Sequence, residues 1–88
     1  MRIWKFHIPA EDRVTLKMPA ASEILSLDVQ NVSMHIWAKC DPYAKKIDRY
    51  FAVVGTGHAV PLHVKKYIGT AVVPPFVWHV FELFGDDE

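Results

Sequence analysis

Cysteine is almost absent. Cys40 is the only one, so no internal disulfide can hold the fold, and the thiol usage fits a reducing, cytoplasmic setting. A net charge is missing as well: ten basic residues balance ten acidic ones, leaving no global field to draw the chain onto a long nucleic acid or an anionic membrane. No apolar run approaches the roughly 18 residues of a bilayer-spanning helix, and Arg2 and Lys5 interrupt the first apolar stretch, so neither a membrane span nor a secretory leader is expected. No segment of about ten residues shows the 3.6-residue period of an amphipathic helix, which argues against helical bundles and α/β folds. Glycine is scarce, and two of the four glycines, Gly55 and Gly57, fall together.

What is present is enough for one domain over residues 1–88. A chain of this size buries only about 60% of the surface its unfolded form exposes, so its core is thin. Yet 51% of the residues are hydrophobic. That surplus predicts that a second copy covers part of the surface, in a homo-oligomer and most simply a dimer. Charge is uneven locally: Lys39, Lys45, Lys46, Arg49, Lys65 and Lys66 face only Asp41 and Asp48, a surplus of +4 between residues 39 and 66. Asp86, Asp87 and Glu88 offset much of it as a short acidic tail, expected to be frayed and solubilising.

Alternation of apolar with polar residues dominates the chain. Arg2–Ile8 places Trp4, Phe6 and Ile8 on one face and stops at Pro9. Arg13–Met18 places Val14, Leu16 and Met18 on one face and stops at Pro19, and the two segments are expected to form a hairpin. Residues 20–27 carry helix formers, but Leu25, Leu27 and Val29 alternate with Ser26, Asp28 and Gln30, so the strand reading prevails over a short helical turn. After a turn at Gln30–Ser33, Met34–Cys40 puts Met34, Ile36, Ala38 and Cys40 on one face and His35, Trp37 and Lys39 on the other, until Asp41-Pro42 breaks it. Ile47–Val54 is a strand; Ala59–Lys66 is a loop or short strand containing Pro61; Tyr67–Val73 is a strand ended by Pro74-Pro75. Phe76–Phe84 comes last, with Phe76, Trp78, Val80 and Glu82 on one side and Val77, His79, Phe81 and Leu83 on the other. Apolar on both faces, it is either a central strand or one that meets a partner chain. Together these segments predict an all-β antiparallel sandwich or small barrel of about seven strands.

The stretch that draws most chemical interest is Gly55-Thr56-Gly57-His58. Its glycines permit positive φ and close approach, while Thr56 and His58 supply polar tips. Successive amides in such a turn can form an anion-binding nest, although a strand-end turn or bulge accounts for the same residues. It is neither a P-loop nor a dinucleotide fingerprint, since the Lys-Ser/Thr pair, third glycine and following helix are all missing. If it is a nest, Arg49, Lys65 and Lys66 are the cations placed to complete an anion site, and Trp37, sharing a face with His35 and Lys39, is a surface on which a base can stack. The expected ligand-binding set is therefore Trp37, Arg49, Gly55, Thr56, Gly57, His58, Lys65 and Lys66.

His7, His35, His58, His63 and His79 show no metal-ligand spacing, so neither a metal nor any other cofactor is expected. Cys40 precedes Asp41-Pro42 with no helix N-terminus to lower its pKa, and no catalytic residue is assigned. So small a scaffold preorganises a catalytic constellation poorly, and a hydrolase is the least expected outcome.

Lys17-Met18-Pro19, Glu23-Ile24-Leu25, Trp37-Ala38, Asp41-Pro42, Gly55-Thr56-Gly57-His58, Tyr67-Ile68-Gly69-Thr70 and Phe76-Val77-Trp78-His79-Val80-Phe81-Glu82 together make the chain resemble, over nearly its whole length, a family of small phage and prophage proteins of unknown function. The resemblance implies a phage accessory origin in the host cytoplasm and carries no activity, substrate or catalytic residue with it. Proteins of this kind often bind a host protein or a host signalling molecule. The expectation is a non-enzymatic protein that sequesters a small phosphate-bearing molecule, such as an immune signalling nucleotide; the alternative is a module that docks on a host protein.

Overall fold

The computed structural model describes residues 1–85, which fold as β1 (Arg2–Ile8), β2 (Val14–Pro19), β3 (Glu23–Gln30), β4 (Ser33–Cys40), β5 (Lys46–Gly55), β6 (Val64–Val73) and β7 (Phe76–Leu83). Asp86, Asp87 and Glu88, the expected acidic tail, lie outside the described residues. The strands divide between a three-stranded sheet, in the order β1-β4-β3, and a four-stranded sheet, in the order β2-β5-β7-β6, with every pairing antiparallel. β3 packs on β6 and β1 lies beside β2, so the sheets form an open sandwich rather than a closed barrel. Among the described residues there is no helix. The helix formers near residue 20 instead enter a turn in which Ala21 takes φ 62°.

Alternation grouped the core-facing residues of β1, β2 and β4 correctly. Ile8, Val14, Met18, Met34, Ile36, Ala38, Cys40, Phe51, Val53, Ala71 and Val80 form one buried cluster between the sheets, and Trp4, Phe6, Leu16 and Trp78 pack against it. Two expectations need correction. β1 and β2 are not a hairpin, since β1 pairs with β4 and β2 with β5. Residues 9–13 lack the short glycine turn that a tight hairpin requires, and they carry the chain from one sheet to the other. In β3 a bulge between Ile24 and Ser26 shifts the phase, so Ile24, Leu27 and Val29 turn inward while Leu25 is exposed. Leu27 meets Gly69 of β6, where a Cβ would come within 3.3 Å of the leucine Cβ, which is why the facing strand carries glycine there.

β7 is central, between β5 and β6. Its inner residues meet the main core, and its outer residues Phe81 and Leu83 join a second cluster with Tyr50, Ala52, Val54 and Val64. The two-sided apolar character of the last strand is therefore accounted for within one chain. β5 and β6 are both antiparallel to β7, so the connection 56–63 leaves Gly55 beside Trp78 and re-enters at Val64 beside Leu83, having crossed β7 lengthwise. With the inner face filled by the opposite sheet, that crossing lies on the outer face, where Ala52, Val54 and Leu83 are buried. β5 also outlasts its other neighbour: β2 pairs no further than Val14 with Phe51, leaving Ala52–Gly55 without a strand on that side.

The β3–β4 hairpin closes through Asn31 and Val32, at φ 50° and 61°, between the paired Gln30 and Ser33. Positive φ at both loop positions is the type I′ geometry, which suits Asn at the first and Gly at the second. Val32 is a β-branched misfit there and, being 78% exposed, packs little. Val32→Gly is expected to raise stability by about 1 kcal/mol, net of the entropy that glycine adds to the unfolded chain. A denaturation midpoint equal to or below wild type would refute this.

Candidate functional site

Gly55 ends β5, and the chain reverses through Thr56 and Gly57, with the His58 N–H donating to the Gly55 carbonyl at 3.0 Å. Gly57, at φ 90°, is the third residue of this turn, the position where a type II turn demands positive φ. The His58 amide is thus committed inside the turn and is withdrawn from any nest. At Gly55 a Cβ would lie 3.5 Å from Trp78 Cζ3 and 3.9 Å from His58 Cδ2, so indole and imidazole both close on the backbone there.

Two grooves flank the turn and share Gly55, His58 and Trp78 as walls. The larger, of about 490 Å³, lies along the stretch of β5 that β2 leaves unpaired; Glu11 and Asp12 line it from one side and Val60 and Pro61 from the other. The second, of about 400 Å³, is lined also by Thr56, Pro75, Phe76 and Val77. Phe76 stacks on Trp78, with ring centroids 5.3 Å apart at 23°, and remains 54% exposed. Aromatic and aliphatic walls with carboxylates at one rim suit an apolar group, alone or next to a positive charge.

A chain of polar contacts leaves the turn across the outer face of the sheet. Thr56 Oγ1 lies 2.7 Å from His79 Nε2, His79 Nδ1 lies 3.0 Å from Thr70 Oγ1, and Thr70 meets the Tyr67 hydroxyl. A neutral imidazole donates at one nitrogen and accepts at the other, and hydroxyls rotate to suit either tautomer. Hydroxyls, not a carboxylate, hold both nitrogens of His79, so this arrangement positions Thr56 and does not build an acid-oriented base.

The structure divides the expected site residues among three places. Gly55, Thr56, Gly57 and His58 stay together at one end of the four-stranded sheet. Arg49 precedes Gly55 on β5 by six residues, roughly 20 Å of extended chain, and lies at the opposite end. Its guanidinium forks onto Glu82, with Nε to Oε2 at 2.7 Å and Nη2 to Oε1 at 2.8 Å, while Nη1 donates to the Ser22 carbonyl. Lys65 belongs to that end too, with its ammonium 5.8 Å from the Phe84 ring centre, and lines with Arg49 a cavity of about 390 Å³ that also holds Glu23, Asp48 and Glu82. Lys66 is exposed on β6 opposite Glu82. Trp37 stands on the outer face of the other sheet, under the Lys5 ammonium at 5.8 Å. Of the groove residues, Glu11, Asp12, Val60, Pro61, Phe76 and Trp78 were missed. Only the Phe76–Trp78 spacing, two apart on one face of a strand, was a signal, and it read equally well as core.

Among the described residues no group of three or more His, Cys, Asp and Glu side chains is arranged to hold a metal ion. No helix there is long and apolar enough to cross a membrane. The description "domain of unknown function (DUF7352)" belongs to a family that matches residues 1–87. No curated protein and no solved structure matches the chain.

Proposed function

The chain belongs to the DUF7352 family, whose description states no activity, and we propose from its own grooves that it is a non-enzymatic docking module for an extended segment of a partner polypeptide. The observation that carries this is the edge of β5 over Ala52–Gly55 that β2 leaves open, opposite its pairing with β7, running beside a groove walled by Trp78, His58 and Pro61. An extended segment laid along a sheet edge gains main-chain hydrogen bonds, and pockets for its alternate side chains give specificity. Here the pockets accept an aromatic or aliphatic side chain, and Glu11 and Asp12 favour a basic neighbour. In the phage accessory setting that the sequence resemblance implies, the partner is a host protein. Sequestration of a phosphate-bearing molecule draws less support, because Arg49 is committed to Glu82 and Lys65 lies at the far end of the sheet among carboxylates. A homodimer is likewise not required to cover β7.

Panning of a random peptide library followed by NMR shift mapping tests the reading. Selected peptides are expected to carry an aromatic or aliphatic residue and to shift the amides of Val53, Val54, Gly55 and His58. His58→Ala should weaken their binding while leaving the melting temperature near wild type, since His58 is exposed. Selection of no peptide, or peptides that map elsewhere, would sink the docking reading; thermal stabilisation by cyclic or ADP-ribose-type nucleotides would restore the small-ligand one.

A further inference from the structure

The outer face of the three-stranded sheet carries a row that chain order hides. His7 of β1 stands directly opposite His35 of β4, and Asp28 of β3 stands opposite His35 on its other side. The two imidazoles are 5.5 Å apart between ring centres and tilted by 52°. His7 is exposed, whereas Nδ1 of His35 is buried and has no hydrogen-bond partner. A buried polar atom without a partner needs an explanation, and for an imidazole nitrogen a metal ion is one that also uses its neighbour.

We propose that His7 and His35 form a two-imidazole chelate for a late divalent transition ion, with water completing the coordination shell. The spacing fits. With metal–nitrogen distances of about 2.1 Å and tetrahedral to right-angled geometry, two chelating imidazoles have ring centres about 4.5–5.3 Å apart, so small side-chain rotations close the observed gap. Both strands are paired along this row, which fixes the two Cα positions before an ion arrives and lowers the cost of chelation. Asp28, whose carboxylate accepts the Val29 N–H at 3.2 Å, adds negative potential beside His35. Lys5 opposes it from the same face of β1, where its ammonium donates to Gln30 Oε1 at 2.9 Å. Imidazole donors without thiolate suit copper, nickel and zinc rather than calcium or magnesium, and the affinity order is expected to place copper first.

The test is a titration of the protein with Cu²⁺, Ni²⁺ and Zn²⁺ salts at about pH 7.5, in a buffer that does not bind metal, followed by NMR of the histidine rings. Copper is expected to broaden the His7 and His35 ring signals first, before those of His58, His63 and His79. His7→Asn should fold like wild type, because His7 is exposed, and weaken each metal by at least about tenfold. His35→Asn should do the same. Should that variant fail to fold, His7→Asn and the wild-type ring assignments decide the matter. Wild-type affinity in His7→Asn, or first broadening at any of the other three histidines, overturns the proposal.

Discussion

Replacing Glu82 by Ala should destabilise the protein by about 3–5 kcal/mol, the range for removing one partner of a buried ion pair. The side chains of Glu82 and Arg49 are 5% and 15% exposed, and the carboxylate takes two charge-assisted hydrogen bonds from one guanidinium. Without it Arg49 keeps only the Ser22 carbonyl, and an uncompensated positive charge sits between the sheets. A chain of this size has a total stability of about 4–13 kcal/mol, so the variant should be partly unfolded at physiological temperature or close to it. The pair itself is a poor source of net stability, since removing two charges from water costs nearly what their attraction returns. The double replacement Arg49→Met with Glu82→Leu is therefore expected to lie within about 1 kcal/mol of wild type, or above it. Urea denaturation of both variants supplies the comparison. A loss below about 1 kcal/mol in Glu82→Ala would mean that Arg49 escapes to solvent and that the pair is a surface interaction.

Phe51→Ala is expected to cost a similar amount, about 3–5 kcal/mol, for a different reason. Phe51 is fully buried on the inner face of β5, at the point where β2 and β7 flank it through Val14 and Glu82. Truncation leaves a cavity that rigid strands on both sides cannot collapse into, so lost transfer energy and lost packing add. Phe76→Ala is the control. That ring is largely exposed at the rim of the groove, and its removal should change stability by only about 0.5 kcal/mol while weakening peptide binding. Equal losses for the two phenylalanines would show that the Phe76–Trp78 stack belongs to the core and not to a recognition surface.

These two sites show how far the residues could be read in order. The alternation Phe76, Trp78, Val80, Glu82 put Glu82 on one face with Trp78 and Val80, because side chains of a strand must alternate whatever the strand pairs with, and the structure turns that face inward. The identity of its partner was not legible. Arg49, thirty-three residues earlier, read as a free phosphate fork, and only the β5–β7 register brings the guanidinium onto the carboxylate. The bulge in β3 was likewise invisible, since the register shift between Ile24 and Ser26 appears only in the pairing with β4. The Gly55–His58 turn was located correctly from its glycines, whereas its grooves depend on β2 stopping short and on the crossing of residues 56–63, both of them facts of topology.

By itself, then, the sequence determined the number and approximate limits of the strands, the side chains that share a face in strands other than β3, and the all-β class, because periodicity and proline or glycine stops act over a few residues. The sandwich topology, the separation of Arg49 and Lys65 from Gly55, the burial of Arg49 with Glu82 and the row of His7, His35 and Asp28 were decided only in three dimensions. Pairing partners in an antiparallel fold are set by long-range contacts that no local pattern encodes. A strand presents the same alternation whichever neighbour it acquires, and the chemistry of a site built across strands follows from that choice of neighbour.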